Sequence, residues 1–573
     1  MCIILVNWLY MAVTTYLVGF ALLGLFARLF HYQIKRQISY FFAGLLGVTV
    51  YAEIYSLFAG VGLLANGLLL LFCGGVVFVN RKKLFAVWQQ FYREAREEKK
   101  TFLWKAGCFI CLVLLFSYGS SRGYLHFDTA LYHAQSIRWI EEYGVVPGLA
   151  NLQSRFAYNS AAFALTALYS MKDIFSQSYH ATAGFFALLS AILACDLVSV
   201  FTKKEWKLSH FVRLGLIFYL GVIFGEMVSP ASDYYAQLLI FDCLILWLDQ
   251  DDWQEKNPDS RNVTPYCLLS ILLVYAVTIK FSVGLLLLLV LKPAVQLIKN
   301  KDYRQIAVSI FSGVGTLLPF LIRNVILSGW LIYPSTAIDL FSVDWKIPAD
   351  QVNLDAREIG AYGKGLNDVA KWQTAFGEWF PLWFENLKAL EKVFVLAALA
   401  AVIFLLLTVI IKLFRKEKLN WDYLLVGVVF SLAAAFWFLS APLVRYGYAY
   451  LITLPLLVFG HFIIEEMKHK KLQPYKNVIQ RGLQVLVILF LISRIPGLYE
   501  DISKRITQPY YVRQQDYGYY EAEERILSGI TFYVPLKQGQ IGYDLFPSSL
   551  FANPVELRGK RLKEGFRQIG TPE

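Results

Sequence analysis

Apolar residues along this 573-residue chain come in long unbroken runs, not in the period-2 or period-3.6 stripes of a protein with a watery surface. A hydrocarbon layer about 30 Å thick takes roughly 20 such residues per helix. Runs of that kind cover 3–27, 39–59, 61–79, 102–120, 178–201, 211–227, 234–248, 266–280, 282–298, 306–327, 391–413, 422–440, 446–464 and 478–495. The pattern predicts an all-α polytopic membrane protein with about 14 transmembrane helices. The runs that meet at Gly60 and at Lys280 leave almost no connection between them. The first run has no basic start and no small-residue cleavage site, so it is read as a retained helix and not a signal peptide.

Basic residues orient the bundle. Arg28, Lys35 and Arg36, then 81–105, 203–213, 299–304, 415–418 and 468–481 fall on one face when the chain alternates. The positive-inside rule makes that face cytoplasmic and puts both termini outside. An acidic connection at 249–261 is the exception, and acidic residues weigh little in this rule. Three long segments then lie outside: 121–177, 328–390 and 497–573. The expected organisation is a three-helix addition at 1–100 that includes a cytoplasmic amphipathic segment, a core at 101–496 and an extracytoplasmic tail at 497–573. Short β-like runs at 510–517 and 531–535, broken by Gly and Pro, make the tail a small mixed α/β cap that packs on the loops.

Composition agrees. With 57% hydrophobic and 17% charged residues the chain could not be water-soluble, and 16% aromatic residues exclude disordered and coiled-coil classes. The net charge of +12 belongs to membrane-facing loops, and no nucleic-acid partner is expected. All seven cysteines lie in or beside apolar runs, so no disulfide framework is expected; Cys108 and Cys111 form a CxxC read as helix packing.

The richest polar stretch is His126-Phe127-Asp128-Thr129-Ala130-Leu131-Tyr132-His133, continuing to Tyr143. Asp128 stands where an N-cap would start a helix over 129–143. On that helix Ala130, Ile137 and Ile140 share one side while Tyr132, Gln135, Arg138 and Glu142 share another, the pattern of a helix lying on the membrane surface. A cap does not account for two His, a Tyr, a Gln and an Arg in the same turns, and a carboxylate near imidazoles also suits a general base or a metal ligand. Asp233, in Ser229-Pro230-Ala231-Ser232-Asp233-Tyr234-Tyr235, is likewise a cap or a second acidic site; with Asp128 it could hold a divalent metal, and whether any metal is used stays open. Lys280, Arg323 and Arg445 lie at outer ends of apolar runs, either snorkelling to headgroups or gripping a lipid phosphate. His126, Tyr132, Arg138, Arg155 and Asn159 are candidates to support the loop or an acceptor, with His133 beside Asp128 and Asp233 as a catalytic candidate.

An acidic residue in a large outer loop followed by a surface helix resembles the GT-C superfamily of integral-membrane glycosyltransferases, over residues 102 to about 495. Thr278-Ile279-Lys280-Phe281-Ser282 and Leu557-Arg558-Gly559-Lys560-Arg561 look like an uncharacterised bacterial branch of it linked to surface polysaccharides. The acidic loop follows the fourth span here, where that superfamily has it after the first. The resemblance implies a GT-C-like core in a bacterial cell membrane, active on its extracytoplasmic face. It implies a sugar moved, with inversion, from a polyprenyl-phosphate donor to a glycan or lipid acceptor, Asp128 being the base and Lys280, Arg323 and Arg445 holding the donor phosphate. A flippase or transporter of polyprenyl-linked oligosaccharide would share many of these features but should carry charges deep within several helices. A surface-polysaccharide polymerase or ligase with a diphosphate-linked donor is the other alternative.

Overall fold

Every one of the fourteen apolar runs forms a helix in the computed structural model, which describes residues 1–34, 36–202, 206–254, 263–468, 475–552 and 554–569. Eleven of these helices are long and apolar enough to cross a membrane. Leu208–Ile223 and Thr264–Ile279 are shorter apolar helices, and Ser232–Gln254 carries the remaining run. The protein is a mostly helical multi-pass membrane protein. Many apolar side chains face outward, as lipid requires: Leu396, Leu399, Ile403 and Leu407 on Ala389–Phe414 are all exposed. Lys35, Lys203, Arg261 and the 469–474 part of the last basic connection lie outside the described residues.

The first two helices pack closely on each other and on the helices that follow. Helices Cys2–Phe30 and Ile38–Ser56 approach backbone to backbone, since a Cβ on Gly19 would strike the Tyr40 carbonyl and one on Gly44 the Thr15 carbonyl. Asn7 Nδ2 donates to the Tyr169 carbonyl at 2.8 Å and Trp8 Nε1 to that of Ala181 at 2.9 Å. Helix Leu63–Glu97 runs on for 35 residues, so the basic stretch after Arg81 extends the third span as one helix.

The bundle has two chemically distinct ends. At one, Arg36 pairs with Asp196 at 3.0 Å and with Asp249 at 2.9 Å, and Arg213 joins Asp249 at 2.7 Å. The other end gathers the long segments 121–177 and 328–390 and the tail.

The stretch after Asp128 departs from the expectation of a helix on the membrane surface. Thr129–His133 is a π-helical turn that leads into the helix Ala134–Tyr143. Gly144, at φ 77°, stops that helix and lets the backbone pass against Ser56, whose carbonyl accepts from Val145 N–H at 2.8 Å. Ala134, Gln135, Ile137 and Trp139 are wholly buried. The tail covers them, because the polar groups here need carbonyl partners that lipid lacks: Gln135 Nε2 donates to the carbonyls of Gly542 and Leu545, both at 3.0 Å, and Arg138 Nη1 to those of Tyr543 at 2.7 Å and Asp544 at 2.8 Å.

The tail holds two small antiparallel sheets, β1 (Ala522–Leu527) with β2 (Ile530–Pro535) and β3 (Val555–Leu557) with β4 (Phe566–Gln568). Phe532, Val555, Leu557 and Phe566 join Trp139, Val146 and Phe156 in one apolar cluster that seats the tail on the loop 121–177. The strand expected at 510–517 does not form. That segment spends its backbone groups on helix ends, where Gln515 N–H donates to the Ser121 carbonyl at 2.8 Å and the Tyr511 carbonyl accepts from Cys2 N–H at 2.9 Å.

Candidate functional site

Four charged residues from four helix ends meet at the end of the bundle beneath the tail. Asp128 precedes the π-turn, Asp233 lies in the first turn of Ser232–Gln254, and Arg445 in the first turn of Val444–Lys468. Lys280 is the extended residue, φ −147° and ψ 113°, that closes Thr264–Ile279. Each stands where the chain reverses, so the side chains turn into a shared space.

Arg445 is the hub. Its Nη2 donates to Asp128 Oδ2 at 2.9 Å and to the Tyr446 hydroxyl at 3.1 Å, and its Nε lies 3.8 Å from Asp233 Oδ2. Lys280 Nζ contacts Asp233 Oδ1 and sits 3.9 Å from the centre of the Tyr446 ring. The order Asp128, Arg445, Asp233, Lys280 alternates in sign, and the two carboxylates are separated by no more than one guanidinium and its contacts. Asp128 makes no side-chain cap bond to its helix, so its carboxylate is committed to this network and not to the backbone.

Histidines flank Asp128. Arg445 Nη1 meets His126 Nε2, and His126 Nδ1 accepts from the Asp128 backbone N–H at 3.1 Å and lies 3.5 Å from Asp128 Oδ2. Burial and the neighbouring Arg445 push His126 down to about 4. His133 is buried behind it with ring centres 6.5 Å apart, and burial pushes it down to about 3. Burial by itself would raise the Asp128 carboxyl, but Arg445 reverses the effect and holds it below the usual carboxylate range.

A cavity of about 560 Å³ opens beside the network. Lys280, Tyr446, Trp437 and Tyr450 line it on one side and Tyr132, Tyr158, Asn159 and Tyr333 on another. Phe281, Ile338 and Phe436 line it too and are at least 40% exposed, so exposed apolar side chains stand in its lining. Most of the lining is apolar or aromatic, as suits a lipid tail with a polar head near Lys280.

The remaining sequence candidates divide. Tyr132 packs its edge on His133, 4.4 Å between ring centres, and lines the cavity. Arg138 belongs to the seam with the tail, and Arg155 pairs with Glu358 at 2.8 Å. Arg323 is not part of the phosphate-facing set. It is buried at 2% exposure, with Nε on Asn159 Oδ1 at 2.9 Å, Nη1 on the Ser56 hydroxyl, and Glu53 nearby. Its donors are spent inside the bundle, and it backs the cavity wall through Asn159. Tyr446, Tyr158, Tyr333 and Asp355 were missed. The Tyr446 signal was its place next to Arg445, whereas nothing local marks the others.

The carboxylate pair does not suit a resident divalent ion, because Arg445 and Lys280 occupy the positions facing both carboxylates; among the described residues no three His, Cys, Asp or Glu side chains gather as ligands.

The sequence model of one family, a domain of unknown function designated DUF8201, matches residues 1–452. The chain belongs to that family. The match takes in all four charged residues of this DUF8201 site and ends upstream of the tail. No curated protein and no solved structure matches the chain.

Proposed function

We propose that this DUF8201 protein is a membrane glycosyltransferase with a GT-C-like core, which moves a sugar from a polyprenyl-phosphate carrier to a glycan or lipid acceptor on the extracytoplasmic face of a bacterial cell membrane. The observation that carries the reading is the alternating network of Asp128, Arg445, Asp233 and Lys280 beside an aromatic cavity that Lys280 and Tyr446 help to line. The charges cluster at one end, as one-sided chemistry requires. Among the described residues, the buried groups Glu53 near Arg323 and Asp242 with Ser190 are joined to one another by no ion pair.

In the resting arrangement Arg445 lowers the basicity of Asp128. A donor phosphate placed against Lys280 and Arg445 competes for the same guanidinium donors. As Arg445 turns to the phosphate, Asp128 loses its counter-ion and becomes a stronger base. The acceptor oxygen attacks the anomeric carbon and its proton passes to Asp128. The bond from that carbon to the phosphate oxygen breaks, and the electron pair leaves on the phosphate, where Lys280 and Arg445 stabilise the charge. Attack opposite the leaving group inverts the anomeric centre. Reconstituting the chain with polyprenyl-phosphate sugars tests the reading; no transfer from any of them to membrane glycan or lipid acceptors would overturn it.

A further inference from the structure

Across the cavity from Lys280, three residues from segments far apart in sequence form a polar device of their own. Asp355, in helix Ala349–Gly363, is only 4% exposed. Its Oδ2 accepts from the Tyr158 hydroxyl at 2.5 Å and the Tyr333 hydroxyl at 3.1 Å, and its Oδ1 from the Ser154 hydroxyl at 3.4 Å. Both tyrosines line the cavity. Their rings continue a row of edge-on aromatics: Tyr132 to Tyr158 at 5.5 Å and Tyr158 to Tyr333 at 5.7 Å between centres. Tyr132 in turn touches His133, so the row runs from the charged network to Asp355.

A phenol has a single hydrogen to give. Tyr158 and Tyr333 each give theirs to Asp355, so what remains on each oxygen is lone pairs. This stretch of wall can therefore accept hydrogen bonds but not donate them, while its ring faces offer apolar surface. Two polar groups next to it spend their donors elsewhere. Asn159 gives both amide hydrogens to the Phe320 carbonyl and Asn324, and Ser160 donates to the Ile279 carbonyl. A phosphate or carboxylate, which brings only acceptors, finds no donor on these two phenols. A pyranose, with hydroxyl donors at its edge and C–H groups on its face, finds both.

Building on the glycosyltransferase reading, we propose that Tyr158 and Tyr333, held by Asp355, form the subsite for the sugar ring, with Asp355 a positioning residue that fixes the wall as acceptor-only. The lipid phosphate and the sugar then occupy opposite walls of one cavity, which orients the anomeric carbon between Lys280 and the aromatic row.

The test uses the full chain in lipid nanodiscs free of glycoside detergent. Decyl glucoside, galactoside, mannoside and N-acetylglucosaminide are titrated by native mass spectrometry, with decyl phosphate as the matched probe. At least one glycoside should bind saturably. Tyr158→Phe combined with Tyr333→Phe should weaken it by about 10-fold or more and leave decyl phosphate unchanged. Tyr333→Phe by itself keeps the test open should the double variant not fold, and should show part of the same selective loss. Asp355→Asn turns one phenol hydrogen toward the cavity and should weaken the glycoside with the phosphate again unaffected. Equal weakening of both probes, glycoside binding untouched by the phenols, or no saturable glycoside in the panel would each overturn the subsite. The glycosyltransferase reading fails separately, on a lack of transfer, and phenol-dependent glycoside binding would survive that failure.

Discussion

Arg445 reaches back across 317 residues of chain to hold the carboxylate of Asp128 at 2.9 Å. The pair is only partly shielded, with 28% and 23% of the two side chains exposed. A partly exposed guanidinium can turn from its carboxylate to a bound phosphate, and the proposed chemistry needs that property.

Asp128→Asn separates chemistry from folding. The side chain caps no helix, so the amide, nearly the same size, should leave the fold in place. It cannot accept a proton at neutral pH, and sugar transfer should fall by about 100-fold or more. Transfer activity and the yield of monodisperse protein in detergent are measured together. Full activity would retire the base role and favour a carrier for lipid-linked oligosaccharide.

Arg445→Lys keeps the charge but loses the fork that serves Asp128, Tyr446 and His126 together. Activity should fall less than for Asp128→Asn, with the loss concentrated in the KM for the lipid donor. A change confined to the KM for the acceptor would speak against a phosphate-gripping role.

Arg323 should behave as a structural residue. Arg323→Ala takes the guanidinium from Asn159 and the Ser56 hydroxyl inside the bundle and should cost about 1 to 3 kcal/mol of stability. Arg323→Met with Glu53→Gln refills the space without a buried guanidinium and should recover part of it. Thermal unfolding in detergent reads both effects, and donor KM in the double variant should stay near that of the unaltered protein.

His126 and His133 predict loss of stability in acid. Both have folded values below the usual 6.5, at about 4 and about 3, so the unfolded chain binds protons first. Their contribution is complete above pH 6.5 and drains away as pH falls toward 4, by at most about 3 kcal/mol each. Melting temperatures from pH 7.5 to 4.5 should drop more steeply for the unaltered protein than for His126→Gln.

The two ends of the bundle should label differently. Tyr362 and Glu94 are both exposed, one on the loop beside the cavity and the other on the basic extension of the third span. In a background without reactive cysteines, Tyr362→Cys should react with an impermeant maleimide in intact spheroplasts and Glu94→Cys only after lysis. The reverse result would turn the protein over.

The spans could be read from sequence because lipid tolerates only closed backbone hydrogen bonding and long apolar runs. Asp128, Asp233, Lys280 and Arg445 were legible for a related reason, since a charge at the end of such a run demands a partner. Arg323 misled because it sits near the end of its run, yet its helix places it against Ser56 and Asn159. Asp355, Tyr158 and Tyr333 could not have been found, since their meeting depends on how two loops nearly 200 residues apart fold over one another. The helix Ala134–Tyr143 was misplaced because its polar face suits a headgroup layer as well as it suits a protein seam.

That seam is stitched by side chains on one side and by main-chain oxygens on the other, with Gln135 and Arg138 gripping carbonyls between Gly542 and Leu545. Any amino acid supplies a carbonyl. The latch therefore reads the path of the tail, a path fixed by Gly542 at φ 71° and by Tyr543, whose hydroxyl donates to Glu141 and whose ring lies against Arg138; adding or removing one residue would slide every oxygen out of reach.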